Sequence, residues 1–400
     1  MLPRLLVVTD VPVTDTVAGS LQLFRLLGGY PVDRLCICEG TLGLGHPIAR
    51  RLRDVRHVSF DSGSPRWRRS RLVRLQAVWL TLTLPRGATR IAQAIQEFTP
   101  DAVLAVAQEF SCFAAWAFAH HRGIPLHLII HDDWLAFSRL PAWFVPYARR
   151  RFGQLYSEAA ERWCISAAME EYYRRLWGMA GEVLLPIHGG QIEAERTVRV
   201  PTATMTVAYA GSVPTGGRAK LLLEFAESIS AGGHRLALMV PGGAQAVFLM
   251  AEKVRCQLRP NNMDDLGAMP PAQITRELAR RADALLVAET FDPVHHDSVA
   301  YNFPCKLADY TAAGLPIIVW APPYSSAARW ARENTDAATL IDNDDPAVAR
   351  GAIDRLAGDP ALRVRMAEAA ARASRQQFDL GRARERLYGA IAASYDAHRS

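Results

Sequence analysis

Apolar and polar positions alternate along this chain in blocks. "RLLVVTD" (Arg4–Asp10) reads as a buried strand, "SLQLFRLLGG" (Ser20–Gly29) as a helix closed by glycine, and "DRLCICEG" (Asp33–Gly40) as a second strand. "DAVLAV" (Asp101–Val106), "PLHLIIHDD" (Pro125–Asp133) and "RWCISA" (Arg162–Ala167) are further strands, separated by helical runs such as Phe110–Arg122 and Ala168–Trp177. Strands that alternate with helices in this way imply βαβ units and a mostly parallel sheet.

Gln191–Thr204 is polar and charged and carries a proline, as a linker does. The alternation then starts afresh. "MTVAYAGS" is a strand, "GRAKLLLEFAESISAGG" a helix with a glycine stop, "RLALMVPGG" a strand, "PPAQITRELARRA" a helix and "DALLVAE" a strand. "FPCKLADYTAAGLPIIVW" (Phe303–Trp320) adds a helix and a strand, and "DPALRVRMAEAAARAS" a surface helix. No short repeat is visible. The expected organisation is an N-terminal α/β domain over 1–195, a C-terminal one over 204–378, and a last helix, 379–400, packing back on the first domain. At 400 residues the chain is longer than one core ordinarily supports, in keeping with two domains.

Composition adds limits. Half of the residues are hydrophobic, as in globular proteins. The most apolar stretch, Ala102–Ala119, is interrupted by Gln108 and Glu109, so no membrane span is expected, and "MLPRLLVVTD" lacks a signal-peptide cleavage pattern. The six cysteines, Cys36, Cys38, Cys112, Cys164, Cys256 and Cys305, show no CxxC spacing and read as reduced core thiols of a cytoplasmic protein. The net charge of +6 is unevenly spread. Pro65–Leu80 and Tyr147–Tyr156 interleave arginines with aromatic and aliphatic residues, as peripheral membrane helices do and as solvated helix faces also do. No nucleic-acid-binding motif accompanies the charge.

In open parallel sheets, ligands sit beyond the carboxyl ends of strands, where loops feed helix starts. Phe303–Trp320 fits such a place. Pro304 suits a first helical turn, and the free amides expected around Phe303, Cys305 and Lys306 suit a phosphate. Lys306 adds a charge, and Asp309, three residues on, shares its helix face. A lysine for phosphate oxygens beside a carboxylate for ribose hydroxyls makes a clamp for a nucleoside diphosphate; an ordinary intrahelical ion pair is the alternative. A second anion candidate is "YAGSVPTGGRAK", where Gly211, Gly216 and Gly217 allow close backbone approach and Arg218 or Lys220 meets a diphosphate. It lacks the lysine-hydroxyl ending of a P-loop, and GxGxxG is absent there and after the first strand.

"VAYAGSVPTGGRAKLLLEFA", "LGAMPPAQITRELARRADALLVAE" and "NFPCKLADYTAAGLPIIV", in that order, resemble the second domain of GT-B retaining glycosyltransferases, in particular glycosyltransferase family 4. "RWCISAAMEEYYRRLWG…EVLLPIHGG" resembles the passage before that family's interdomain linker; the likeness is best over Arg162–Phe378. The resemblance implies an α/β fold of two Rossmann-like domains facing each other across a cleft. It implies a donor held mainly by the second domain: a nucleotide-diphosphate sugar, UDP- or GDP-linked. It also implies transfer, with retention, to a glycan, a small molecule or a lipid-linked acceptor. Lys306 matches the lysine of the family's "F-P-S-K-L-x-E-Y" variant and Asp309 its ribose-binding carboxylate. Arg218, or Lys220, falls at the diphosphate; Gly19 and Ser20 fall in a loop closing on the donor; His131 matches a histidine near the transferred sugar.

One departure stands out. The family's first glutamate would fall at Tyr301, so "HHDSVAYN" is expected to offer backbone amides and Asn302 instead. Charge building on the leaving diphosphate would be met by preorganised amides, Arg218 and Lys306, with no obligatory metal. "HDD" (His131–Asp133) resembles the acidic pair of metal-dependent glycosyltransferases and "HHD" (His295–Asp297) resembles a zinc set, but neither has the separated ligands of a closed site. The missing glutamate keeps open a non-catalytic protein that binds a nucleotide sugar or a partner, and the two-domain plan keeps open a sugar-nucleotide epimerase.

Overall fold

The structure is a computed structural model, and it describes residues 1–16, 18–41, 50–63, 72–83, 86–137, 140–189, 203–213, 215–240, 262–267 and 269–399. Its contacts divide the chain into two compact units, Met1–Leu185 with Leu380–Ser400, and Pro186–Asp379. Most of the expected linker and Cys256 lie outside the described residues.

The first unit holds a parallel sheet in the order β3-β2-β1-β4-β5-β6-β7. Its strands are β1 (Leu5–Thr9), β2 (Leu35–Gly40), β3 (Arg56–Phe60), β4 (Ala102–Val106), β5 (Leu126–Ile130), β6 (Glu161–Cys164) and β7 (Glu182–Val183). Every residue of β1, β2, β4 and β5 is buried, which is why these strands read as unbroken apolar runs. Caps set the helix limits. Ser166 accepts from the Met169 amide to start Ala167–Trp177, and Gly178, at φ 70°, ends it in the left-handed region.

The C-terminal helix Leu380–Arg399 belongs to this unit. Arg384 donates to the carbonyls of Arg25 and Leu26, and the Tyr388 ring meets Tyr30 edge-on at 5.1 Å. Further along, Ser394 Oγ lies 2.8 Å from His127 Nε2.

The second unit repeats the plan. Its six strands run β10-β9-β8-β11-β12-β13, all parallel. They are β8 (Thr206–Ala210), β9 (Arg235–Met239), β10 (Met263–Asp265), β11 (Ala284–Ala288), β12 (Ile317–Trp320) and β13 (Ala338–Ile341). The core gathers Val207, Tyr209, Leu222, Phe225, Leu286 and Trp320. In each sheet the first strand of the unit lies beside the fourth, β1 beside β4 and β8 beside β11. At that point the winding reverses, and helices leave the two strands on opposite faces. The carboxyl ends of the strands at such a point are the usual place for a ligand in this kind of fold.

Candidate functional site

In the second unit the β8/β11 switch point collects charge. β8 ends at Ala210 and hands over to Gly211, whose φ of 120° favours glycine. A side chain at Gly211 would come within 3.6 Å of Lys306 Cε and Nζ, so the backbone and the lysine head are neighbours. Thr215 caps the next helix, Gly216–Ser230, by accepting from the Arg218 amide at 3.2 Å. A Cβ at Gly217 would fall 2.5 Å from Thr290 Oγ1, so that helix start fits against the end of β11 only with glycine there.

Lys306 opens the helix Lys306–Ala313, which Gly314 ends at φ 63°. Its Nζ lies 3.6 Å from the centre of the buried Tyr209 ring, a cation–π contact. The ammonium is buried and, among the described residues, has no hydrogen-bond partner. Burial, and then the nearby Arg218 guanidinium, hold its pKa well below the usual lysine value, with Glu289 opposing. Arg218 pairs with Glu289, which is 8% exposed, and also bonds the Tyr209 phenol. Burial pushes that phenol up to about 12. Among the described residues the cluster therefore leaves two buried donors without partners, Lys306 Nζ and Arg218 Nε beside the Glu289 pair, and an anion with several oxygens would satisfy both.

Of the residues singled out from sequence, Gly211, Arg218 and Lys306 come together. Lys220 does not: it is exposed on the outer side of its helix and pairs with Glu224 at 3.3 Å. Two residues along a helix turn the side chain to the far face. Asp309 is half-buried in the first turn of the Lys306 helix. Phe303 is 8% exposed with its ring 6.2 Å from Phe378, so its side chain belongs to the core. The Asn302 carbonyl accepts from Ser326 Oγ, fixing the turn into Pro304. Glu289 was not anticipated. Its signal was an acid directly after a buried strand, at the carboxyl end where ligands bind.

In the first unit, Gly19, Ser20 and His131 stand at carboxyl ends of the sheet or at the helix start that follows. A Cβ on Gly19 would lie 3.6 Å from Gln108 Oε1, just beyond β4. The Ser20 hydroxyl and Gln108 Oε1 are buried without partners among the described residues. Asp10, just after β1, accepts from the Ser111 amide at 2.8 Å and its hydroxyl at 2.6 Å, tying β1 to the helix after β4. His131 follows β5, is 9% exposed, and neither ring nitrogen has a partner among the described residues. Burial pulls its pKa down to about 4, so the ring is neutral near pH 7. Asp132 is pushed up to about 6 by burial and then by Asp133, and Asp133 accepts from the Tyr173 hydroxyl at 2.8 Å. Among the described residues no three His, Cys, Asp or Glu side chains gather as a metal site.

Residues 37–190 match the family described as "Glycosyl transferase 4-like domain". Over the whole chain, solved structures share the architecture. HepE of Anabaena, crystallised with UDP and glucose, aligns with a TM-score of 0.68 at 14% identity, covering 98% of this chain and 100% of that one. Sucrose-phosphate synthase of Thermosynechococcus elongatus gives 0.70 at 13%, over 98% and 100%. A glycosyltransferase of Rickettsia africae gives 0.68 at 12%, over 98% and 99%. The chain shares the GT-B fold of these structures. No curated protein matches it in sequence. Within the GT-B plan, both switch points carry buried polar atoms without partners, Lys306 Nζ in one unit and Ser20 Oγ and Gln108 Oε1 in the other.

Proposed function

We propose that the protein is a glycosyltransferase that moves a sugar from a nucleoside-diphosphate sugar to a glycan, a small molecule or a lipid-linked acceptor, with retention. The observation that carries this reading is the buried Lys306 amine, without a hydrogen-bond partner among the described residues, beside Gly211 and Arg218 at a sheet switch point. HepE structures that contain UDP-glucose or UDP support a UDP-linked donor, with a GDP-linked one as the other choice.

In the reaction, the bond between the anomeric carbon and the diphosphate oxygen breaks as the acceptor hydroxyl oxygen bonds to that carbon. The acceptor proton leaves with the diphosphate. Charge grows on the leaving group, and Lys306 and Arg218 stabilise it most where it develops, which lowers the barrier without a divalent ion. A diphosphate beside it favours the charged form of Lys306 and raises its lowered pKa. Asp309 accepts from the ribose hydroxyls. In the first unit, Ser20 at the start of its helix and neutral His131 at the end of β5 offer unpartnered polar atoms suited to a sugar hydroxyl.

Cytoplasmic placement is part of the proposal, supported by the buried free thiols of Cys36, Cys38, Cys112 and Cys164. A non-catalytic nucleotide-sugar binder is the second reading, favoured by Tyr301 in the position of the family's first glutamate. A thermal-shift screen with UDP, GDP and their sugars, followed by assay of free nucleotide release with candidate acceptors, separates the two. Binding with turnover supports transfer, binding without turnover across acceptors supports the second reading, and no binding refutes both.

A further inference from the structure

The helix Val73–Thr83 in the first unit buries one side and leaves an apolar stripe exposed on the other. Gln76, Ala77, Leu80 and Thr81 face inward and are buried. Leu75, Trp79 and Leu82, with Leu72 just before the helix, stay 60%, 47%, 52% and 46% exposed. Their spacing puts them on one stripe, turned away from the buried side. A contiguous exposed apolar stripe on a helix marks an interaction surface. Among the described residues no helix is long and apolar enough to cross a membrane.

Charge indicates what covers it. From Ser62 to Gln96 the sequence holds seven arginines and no aspartate or glutamate. Arg74 is exposed on the helix itself, and Arg86 is exposed just past its end. Leucine and tryptophan on one face, flanked by arginine without acid, match the boundary between acyl chains and anionic headgroups.

The other basic stretch, Tyr147–Tyr156, differs. Phe152, Leu155 and Tyr156 are buried, and Arg151 bonds Gln154 at 2.8 Å and covers Trp116. That stretch is mainly one outer helix face over a core. Only the first stretch presents a row of uncovered leucines.

We infer that the Val73–Thr83 helix docks the protein onto an anionic lipid bilayer, with Leu72, Leu75, Trp79 and Leu82 entering the headgroup boundary and the exposed Arg74 and Arg86 meeting lipid phosphates. The inference stands on the first unit alone and does not depend on the donor site. A lipid-linked acceptor would then be met at the surface where it resides.

The test is cosedimentation of the full chain with vesicles of equal parts phosphatidylcholine and phosphatidylglycerol at low salt. The wild type is expected to sediment, to be released as salt rises, and to ignore pure phosphatidylcholine. The variant Leu75→Ser/Trp79→Ser/Leu82→Ser should keep its melting temperature, since all three side chains face solvent, and lose about tenfold or more in vesicle partitioning. Lipids with brominated acyl chains should quench the wild type more than Trp79→Phe. Failure of the wild type to bind, or binding by the triple variant at the wild-type level, overturns the inference. So does a dimer in solution that the triple variant dissociates, because the stripe would then be covered by a second copy.

Discussion

Replacing Lys306 by methionine tests both the electrostatics and the function. In the free protein the ammonium is buried 3.6 Å from the Tyr209 ring, without a hydrogen-bond partner among the described residues and near the Arg218 guanidinium. Burial, and then the nearby Arg218 guanidinium, disfavour the charge, which is why its pKa lies well below the ordinary lysine value of 10.5. The unfolded chain therefore binds the extra proton between the folded pKa and 10.5, so this residue makes stability rise with pH across that window. Methionine keeps the stem and removes the charge. Stability at neutral pH should stay level or increase by about 1–4 kcal/mol, the range seen when buried charges give way to apolar groups. Nucleotide binding should move the other way. Loss of one charged contact to a diphosphate, about 2–4 kcal/mol, weakens affinity about 30- to 900-fold.

Calorimetry in buffers of differing ionisation heat provides the sharper readout. At a pH between the folded Lys306 pKa and 10.5, wild-type protein should take up more protons on binding UDP or GDP than Lys306→Met does. Equal affinity of the two proteins, or no uptake by the wild type at any pH below 10.5, would refute the reasoning.

Arg218→Ala should destabilise the second unit by about 3–5 kcal/mol, because it strands Glu289 in a buried site; adding Glu289→Gln should restore part of this in a denaturant melt. Lys220→Ala should leave UDP or GDP affinity within about twofold by calorimetry, since its partner is Glu224 and an exposed pair contributes about 0–1 kcal/mol to stability. His131→Asn should reduce turnover with little change in nucleotide affinity. The wild-type His131 pKa of about 4 against 6.5 means that stability from this residue is full above pH 6.5 and falls as pH drops from there towards 4. Thermal melts of the two proteins across that range should converge at acid pH, and a constant gap would refute the assignment.

The central strands were readable from sequence because both of their faces are buried. Leu5–Thr9 and Ala102–Val106 leave no polar face to confuse the pattern. The margins were not. β3, "RHVSF", is mostly half-exposed and carries charge, and β10 is only Met263–Asp265. At the site, the motif around Lys306 was legible because a proline-led helix start and a buried strand leave few alternatives. Spacing did not choose between Arg218 and Lys220, since either suits a helix start and only packing against β11 decides the rotation. Glu289 was hidden for another reason: an acid after a strand reads equally well as a helix cap or a solvated turn.

The return of Leu380–Arg399 to the first unit makes Pro186–Asp379 an insertion with adjoining ends. The His188 amide donates to the Phe378 carbonyl at 3.3 Å, so the segment enters and leaves through bonded neighbours. Grafting follows from this: the segment is a portable unit, suited to splicing into a surface turn of an unrelated host without separating the host's own chain ends.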